Sequence, residues 1–322
     1  MASKVYKVFI DGAEGTTGLL LQSRLSRHPA AELIAIDPAL RKDAGERTRL
    51  YKEADVVFLC LPEEAARQAV ALMSDRPARV IDASTAHRTA PGWAYGFPEL
   101  SPGHRDAVRN GRRVAVPGCH ASGFAAAVYP LVAAGILPRD YPVSAFSLTG
   151  YTGGGKRMIA DYEGNSRDPG DEALKSTRLY ALTLSHKHLP EMQAVCGLSE
   201  PPLFTPAVGD FPRGMLVSVP LVPRLLNGRP GAAKIREVLA AHYEGAAFVR
   251  VMDSADYAAG GFLDAAATTG TNMLELFVFG NDERVLVTAR LDNLGKGASG
   301  AALQCMNVML GLPEETGLTT YI

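Results

Sequence analysis

Short apolar runs alternate with helix-like stretches through the first third of the chain. Val5–Ile10, Glu32–Ile36, Asp55–Leu61, Arg79–Asp82 and Arg113–Val116 have the texture of strands, and the segments between them have helical spacing. Strands that alternate with helices predict a doubly wound parallel sheet covered by helices on both faces. The apolar, Ala-rich stretch Ala121–Gly135 predicts a helix whose N-terminus lies beside Cys119. Beyond about Pro142 the texture changes. Val143–Thr149, Met215–Leu221, Ala247–Asp253, Met273–Gly280 and Arg284–Leu291 are longer, more strictly alternating and separated by Pro/Gly-rich loops, which predicts a mixed or antiparallel sheet. Lys296–Leu310 closes the pattern as an apolar helix able to return to the first sheet.

A length of 322 residues exceeds what one core usually supports, in keeping with two domains. Their expected extents are 1–118, completed by the C-terminal helix 296–322, and 119–295. Charged residues make up 21% of the chain and the formal net charge is −1. With both signs interspersed there is no field to draw in nucleic acid or an anionic membrane, so any phosphate must be held by local groups. No apolar run approaches the roughly 20 residues of a membrane helix, and Met1–Ile10 runs into a strand pattern without an apolar signal core. The expected location is the cytoplasm. Four cysteines, Cys60, Cys119, Cys196 and Cys305, lie far apart without a Cys-x-x-Cys pair, which argues against a disulfide framework or a zinc knuckle.

The turn Gly12-Ala13-Glu14-Gly15-Thr16-Thr17-Gly18 follows the first strand and opens a helix. There, backbone amides and the helix dipole can hold a dinucleotide pyrophosphate, although the glycines are spaced Gly-x-x-Gly-x-x-Gly rather than Gly-x-Gly-x-x-Gly. Asp37, at the end of the second strand, suits a ribose hydroxyl, whereas Arg41 and Lys42 suit a 2′-phosphate, so these residues leave NAD and NADP both open. Asp82–Arg88 ends the fourth strand at the carboxyl edge of the sheet, where ligands collect. Ser84 is expected at the cofactor, and Arg88 is placed to grip an oxyanion.

Pro117-Gly118-Cys119-His120 puts a thiol after a strand and at a helix start, where the positive end of the dipole favours the nucleophilic thiolate. Cys60 and Cys305 lie in apolar runs and read as inert; Cys196 has no evident role. Ser185-His186-Lys187-His188-Leu189-Pro190-Glu191 gathers two imidazoles, a cation and a carboxylate, so that an imidazole oriented by Glu191 can serve as acid and base. Paired histidines also suit a metal, but no third and fourth ligand lies nearby, and no metal is expected. Gly150-Tyr151-Thr152-Gly153-Gly154-Gly155-Lys156-Arg157 comes close to a phosphate-binding loop, yet Arg157 stands where a hydroxyl would hold magnesium. Gly154, Gly155 and Lys156 instead suit an amide-rich loop near a substrate anion. Asp292–Gly300 links the last strand to the closing helix with small residues that permit close backbone approach.

Taken together, the Gly12–Gly18 loop, Pro117-Gly118-Cys119, His186-Lys187-His188-Leu189-Pro190-Glu191 and Asn293-Leu294-Gly295-Lys296-Gly297-Ala298 resemble the N-acetyl-gamma-glutamyl-phosphate reductase family, in its shorter form. The resemblance spans nearly the whole chain. It implies a Rossmann-type dinucleotide-binding domain, an α+β catalytic and dimerisation domain with a mixed sheet, and a homo-oligomer, dimer or tetramer. It implies NADPH as cofactor with Asn293 near the nicotinamide, Cys119 as nucleophile and His188 as acid–base residue oriented by Glu191. Tyr180, His186 and Arg88 are implied as substrate contacts for a small-molecule acyl phosphate, reduced in arginine biosynthesis through a Cys119 thioester. Two other readings remain: an aspartate-semialdehyde-dehydrogenase-like reductase of another acyl phosphate, and a non-catalytic NAD(P)H sensor, which has no use for Cys119 and the histidine segment.

Overall fold

In the computed structural model, which describes residues 4–73, 78–164 and 172–321, the β–α alternation builds a six-stranded sheet. Residues 1–3, 74–77, 165–171 and 322, which fall within the domain extents expected above, lie outside the described residues. The chain divides into two units, one running to Pro117 and taking in Ala298–Leu318, the other Gly118–Gly297 with the chain end from Thr319.

The first unit contains β1 (Tyr6–Asp11), α1 (Thr16–Leu25), β2 (Ala31–Ile34), α2 (Ala44–Glu53), β3 (Val56–Leu59), α3 (Glu63–Leu72), β4 (Arg79–Asp82), β5 (Ala94–Tyr95), α4 (Pro102–Asn110) and β6 (Arg113–Ala115). Its strands run in the order β2-β1-β3-β4-β6-β5, every pair parallel. Side chains along a strand point alternately to opposite faces, and each set finds its own core. Val8, Ile10, Val56 and Phe58 pack with Leu21 and Leu25 of α1 and with Leu303 and Met306 of the closing helix. Phe9, Val57 and Leu59 pack with Leu50 and Tyr51 of α2 and Ala66 and Ala69 of α3. Both faces are therefore dry, as a parallel sheet requires, and each large side chain so buried contributes about 1.5–3 kcal/mol.

The second unit contains α5 (Cys119–Ala133), β7 (Ser144–Gly150), α6 (Gly155–Glu163), α7 (Glu172–Lys175), β8 (Arg178–Leu179), α8 (Leu189–Cys196), β9 (Leu203–Gly209), β10 (Met215–Leu221), α9 (Ala232–His242), β11 (Val249–Val251), α10 (Ala255–Gly260), β12 (Leu274–Gly280) and β13 (Val285–Leu291). Its seven strands run β11-β12-β13-β10-β7-β9-β8 and are mixed: β7–β9 and β11–β12 are parallel, the other pairs antiparallel. Helices α5 and α9 pack on one face, α5 across β10 and β13. The opposite face stays partly open, with Phe146 of β7 and Leu203 of β9 exposed. After β13 the chain turns through a π-helical segment, Gly295–Ser299, into α11 (Gly300–Leu310). Among the described residues no helix is long and apolar enough to cross a membrane, and no group of three or more His, Cys, Asp or Glu is placed to hold a metal ion.

Candidate active site

In the first unit the glycine turn is held by two close approaches. Gly12 has φ +88°, and a Cβ there would lie 2.4 Å from the Cys60 carbonyl; a Cβ on Gly18 would lie 2.4 Å from the Gly12 carbonyl. Only glycine fits either position. The N-cap of α1, Gly15, offers no side chain to the first turn, which leaves the amides at Thr16 and Thr17 for an anionic ligand. Glu14 is exposed and pairs with Arg41 at 2.8 Å; Lys42 is exposed beside it. Asp37 caps a short 3-10 turn by accepting from the Ala39 amide, so its carboxylate is already engaged. The cradle, the uncapped helix start and the Arg41–Lys42 pair fit a dinucleotide with a phosphorylated ribose.

Further along the same sheet edge, Asp82 is fully buried and accepts from the Ser84 amide and hydroxyl and from the His87 ring at 2.6 Å. Ser84, expected at the cofactor, spends its hydroxyl inside this turn, donating to Asp82 and accepting from the Ala86 amide. Arg88 donates from Nε to the Val116 carbonyl, which anchors the guanidinium at the end of β6.

In the second unit Cys119 is the first residue of α5, two residues earlier than the helix expected from its apolar run. Its N-cap, Gly118, has no side chain to quench the helix end, so the dipole bears on the thiol. The Gly118 amide donates at 2.8 Å to Glu191, a carboxylate only 2% exposed. Glu191 lies in the first turn of α8, and His188 is the N-cap of that helix. One helix thus carries the His188 imidazole and the carboxylate that holds the Gly118–Cys119 turn, and it packs directly on α5.

His188, His186 and His120 form a cluster with ring centroids 4.7 Å (186–188), 5.4 Å (120–188) and 5.5 Å (120–186) apart. Tyr180 and Phe204 complete it, at 6.3 Å and 5.2 Å from His120. The backbone between Tyr180 and His186 is bent through the left-handed region at two non-glycine residues, Ala181 (φ 52°) and Leu184 (φ 56°). Conformations of this kind persist only where the surroundings impose them, and they concentrate at functional sites.

Asn293 is 1% exposed, with its side-chain oxygen on the Gly214 amide and its nitrogen on the Thr152 hydroxyl. Its neighbour Asp292 takes Arg213 and the amides of Gly270 and Leu294. These bonds pin the loop that follows, and at Gly297 the backbone lies against Cys119: an added Cβ would sit 2.7 Å from the Cys119 Cβ. Both ends of the Asn293 amide are thus engaged in holding this loop.

A cleft of about 360 Å³ opens beside Tyr180, lined also by Gly154, Arg157, Arg178 and Asp161. Of the loop residues expected there, Gly154 lines it, whereas Gly155 and Lys156 begin α6 and are not part of its wall. Arg178 donates to the Tyr162 hydroxyl and stacks over that ring, which in turn stacks on Tyr151. Sequence reasoning missed Arg178 because β8 is two residues long, and Arg157 because it entered only as the residue that spoils a nucleotide loop. It also passed over His120 and Ser147. A histidine inside the apolar α5 run was the available signal, since a buried imidazole must find partners. The other thiols are inert: burial pushes Cys60 up to about 12 and Cys196 higher still, and Cys305 is fully buried, 3.4 Å from the Gly96 carbonyl.

Residues 7–108 match the family described as semialdehyde dehydrogenase, NAD binding domain, and residues 119–293 match semialdehyde dehydrogenase, dimerisation domain. N-acetyl-gamma-glutamyl-phosphate reductase 2 of Nostoc sp. is 49% identical over 318 residues, 97% of this chain and 99% of the relative. The reductase of the same name from Brucella ovis is 46% identical over 308 residues, 95% and 99% of the two chains. Among solved structures, aspartate semialdehyde dehydrogenase II of Vibrio cholerae, complexed with ASA, superposes with a TM-score of 0.73 at 15% identity, covering 96% of this chain and 99% of the other. The Candida albicans enzyme with NADP gives a TM-score of 0.65, also at 15% identity, with 95% and 99% covered. The chain belongs to the semialdehyde dehydrogenase family, and within it to the N-acetyl-gamma-glutamyl-phosphate reductases.

Proposed function

We propose that this protein is the NADPH-dependent reductase that converts N-acetyl-L-glutamyl 5-phosphate to N-acetyl-L-glutamate 5-semialdehyde and phosphate in arginine biosynthesis. The observation that carries the reading is Cys119 at the uncapped start of α5, its turn held by Glu191 and flanked by the imidazole cluster. The Cys119 thiolate attacks the acyl carbon; a carbon–sulfur bond forms, the carbon–oxygen bond to phosphorus breaks, and phosphate leaves a thioester. When bound, the reduced nicotinamide supplies the hydride that takes the thioester to the aldehyde level. His188 protonates the oxygen of the resulting thiohemiacetal and takes that proton back as the carbon–sulfur bond breaks, releasing aldehyde and thiolate. Splitting one displacement into two steps gives the hydride a reactive carbonyl. Glu191 fixes the nucleophile turn through the Gly118 amide. Arg157 and Arg178, with Gly154 and Tyr180, line the cleft for the anionic substrate, with His186 beside them.

The glycine cradle Gly12–Gly18 holds the pyrophosphate, and Arg41 and Lys42 select the 2′-phosphate. Run in reverse, N-acetylglutamate semialdehyde, inorganic phosphate and NADP should give phosphate-dependent NADPH absorbance that prior iodoacetamide abolishes, with NAD a poorer acceptor. Folded protein that is silent here but active on aspartate semialdehyde would shift the reading to the related dehydrogenases; silence on both would leave a dinucleotide sensor.

The open face of the second sheet, where Phe146 and Leu203 are exposed, is the surface we assign to a second copy of the chain. Light scattering should give a multiple of the single-chain mass, and Phe146→Asp should lower it. A monomeric wild-type protein would remove this assignment. A small-molecule biosynthetic enzyme of this kind works in the cytoplasm.

A further inference from the structure

On the reading of the protein as an acyl-phosphate reductase, we infer that hydrogen bonds from the Leu216 carbonyl through Ser147 and His120 fix the Tyr180 hydroxyl as an acceptor. That acceptor selects the N–H of the substrate's acylamino group. The directions follow from one end. A carbonyl can only accept, so the Ser147 hydroxyl, 3.1 Å from the Leu216 oxygen, donates to it. Ser147 has one proton; its 2.7 Å contact with His120 is therefore made by Nδ1–H of the ring donating to the serine oxygen. His120 is 3% exposed, and burial, with His186 and Lys187 nearby, lowers its pKa to about 3, so the ring carries a single proton. That proton is on Nδ1, which leaves Nε2 bare. Nε2 lies 2.7 Å from the Tyr180 oxygen and accepts the phenolic proton.

Tyr180 also lines the cleft, and the charge on Cys119 raises its own pKa after the larger effect of burial, so the phenol keeps its proton beside the nucleophile. With that proton turned inward, the phenol offers the cleft lone pairs alone. On an N-acylamino acyl phosphate, the carboxylate, the acyl phosphate and the amide carbonyl all accept. The amide N–H is the one donor, and hence the one group the phenol oxygen can match. The histidine acts through Tyr180 and is a positioning residue; Tyr180 touches substrate.

Two measurements test this. ¹⁵N-histidine NMR of the wild-type protein, with the His120 signals assigned from His120→Gln, should show a protonated Nδ1 and a bare Nε2 at neutral pH. A proton on Nε2, or on both nitrogens, overturns the relay whether or not the protein turns over substrate. In the reverse reaction the comparison is N-acetylglutamate semialdehyde against its ester analogue, with oxygen in place of the amide N–H. Wild type should prefer the amide by roughly ten-fold in kcat/KM, mainly through KM, the size of one good hydrogen bond. Tyr180→Phe should erase the preference. Ser147→Ala, which frees His120 to change tautomer and so turns the Tyr180 proton outward, should erase or reverse it. Equal rates on both aldehydes in an active wild type sink the inference and spare the reductase reading. Silence on both aldehydes sinks that reading and the substrate half of the inference together.

Discussion

Cys119→Ser should abolish turnover by roughly 10³-fold or more while leaving fold and dinucleotide binding intact. A serine hydroxyl at the same helix start is almost wholly protonated at neutral pH. Sulfur is intrinsically the better nucleophile, and the positive end of a helix dipole favours its thiolate. The substitution removes no buried volume of consequence, and Gly297 leaves room for it. The check is kcat in the phosphate-dependent reverse reaction alongside NADPH binding by nicotinamide fluorescence; wild-type turnover would end the role assigned to Cys119. The effect belongs to Cys119 among the four thiols, because Cys60 and Cys196 are held protonated by burial and Cys305 is fully enclosed.

His188→Asn should depress turnover by about 10²- to 10⁴-fold and flatten one limb of the pH–rate profile. Asparagine is the informative replacement because position 188 is the N-cap of α8, where Asn is among the favoured residues. The helix, and with it the Glu191 bond to the Gly118 amide, is preserved while the proton carrier is lost. His186→Asn is the control: His186 accepts the His188 amide on its Nδ1 and tests whether the loss comes from loop geometry. An unchanged pH profile in His188→Asn would remove that residue from proton transfer.

Much of the fold could be read from periodicity, since strands buried on both faces and strands buried on one face leave different patterns. Arg79–Asp82 and Met215–Leu221 coincide with β4 and β10, and most other strands begin or end within two residues. β9 escaped because Pro206 sits in its middle, and proline argues against a strand with neighbours on both sides. The strand tolerates it, and the Pro206 carbonyl still accepts the Tyr180 amide. β5 and β8 are two residues each, too short for any period. The closing helix begins later than its apolar run, because the chain first makes the π turn Gly295–Ser299.

At the candidate site, the motifs that lie close along the chain were legible: the cysteine turn, the histidine segment and the glycine loop. What required the fold was the register. Ser147 meets His120 because β7 turns that residue toward α5 while its neighbour Phe146 faces out. Arg178 meets the cleft because a two-residue strand docks on β9. Asn293 and Asp292 read as a ligand loop; that their side chains tie four loops of the second unit together could be seen only in the fold.

Cys119 is the second residue of the second unit, and Gly297, whose backbone it touches, is the last before the chain leaves. Apart from a short tail, that unit is an insertion whose ends meet. Insertions with adjacent ends can be gained, lost or grafted without disturbing the host, because the host sees only a short loop. Cys119 and the helix that carries His188 and Glu191 therefore lie within one continuous insertion, together with the loops that hold them. A recombination that kept Gly118 and Gly297 as its borders would carry the Cys119, His188 and Glu191 constellation with it.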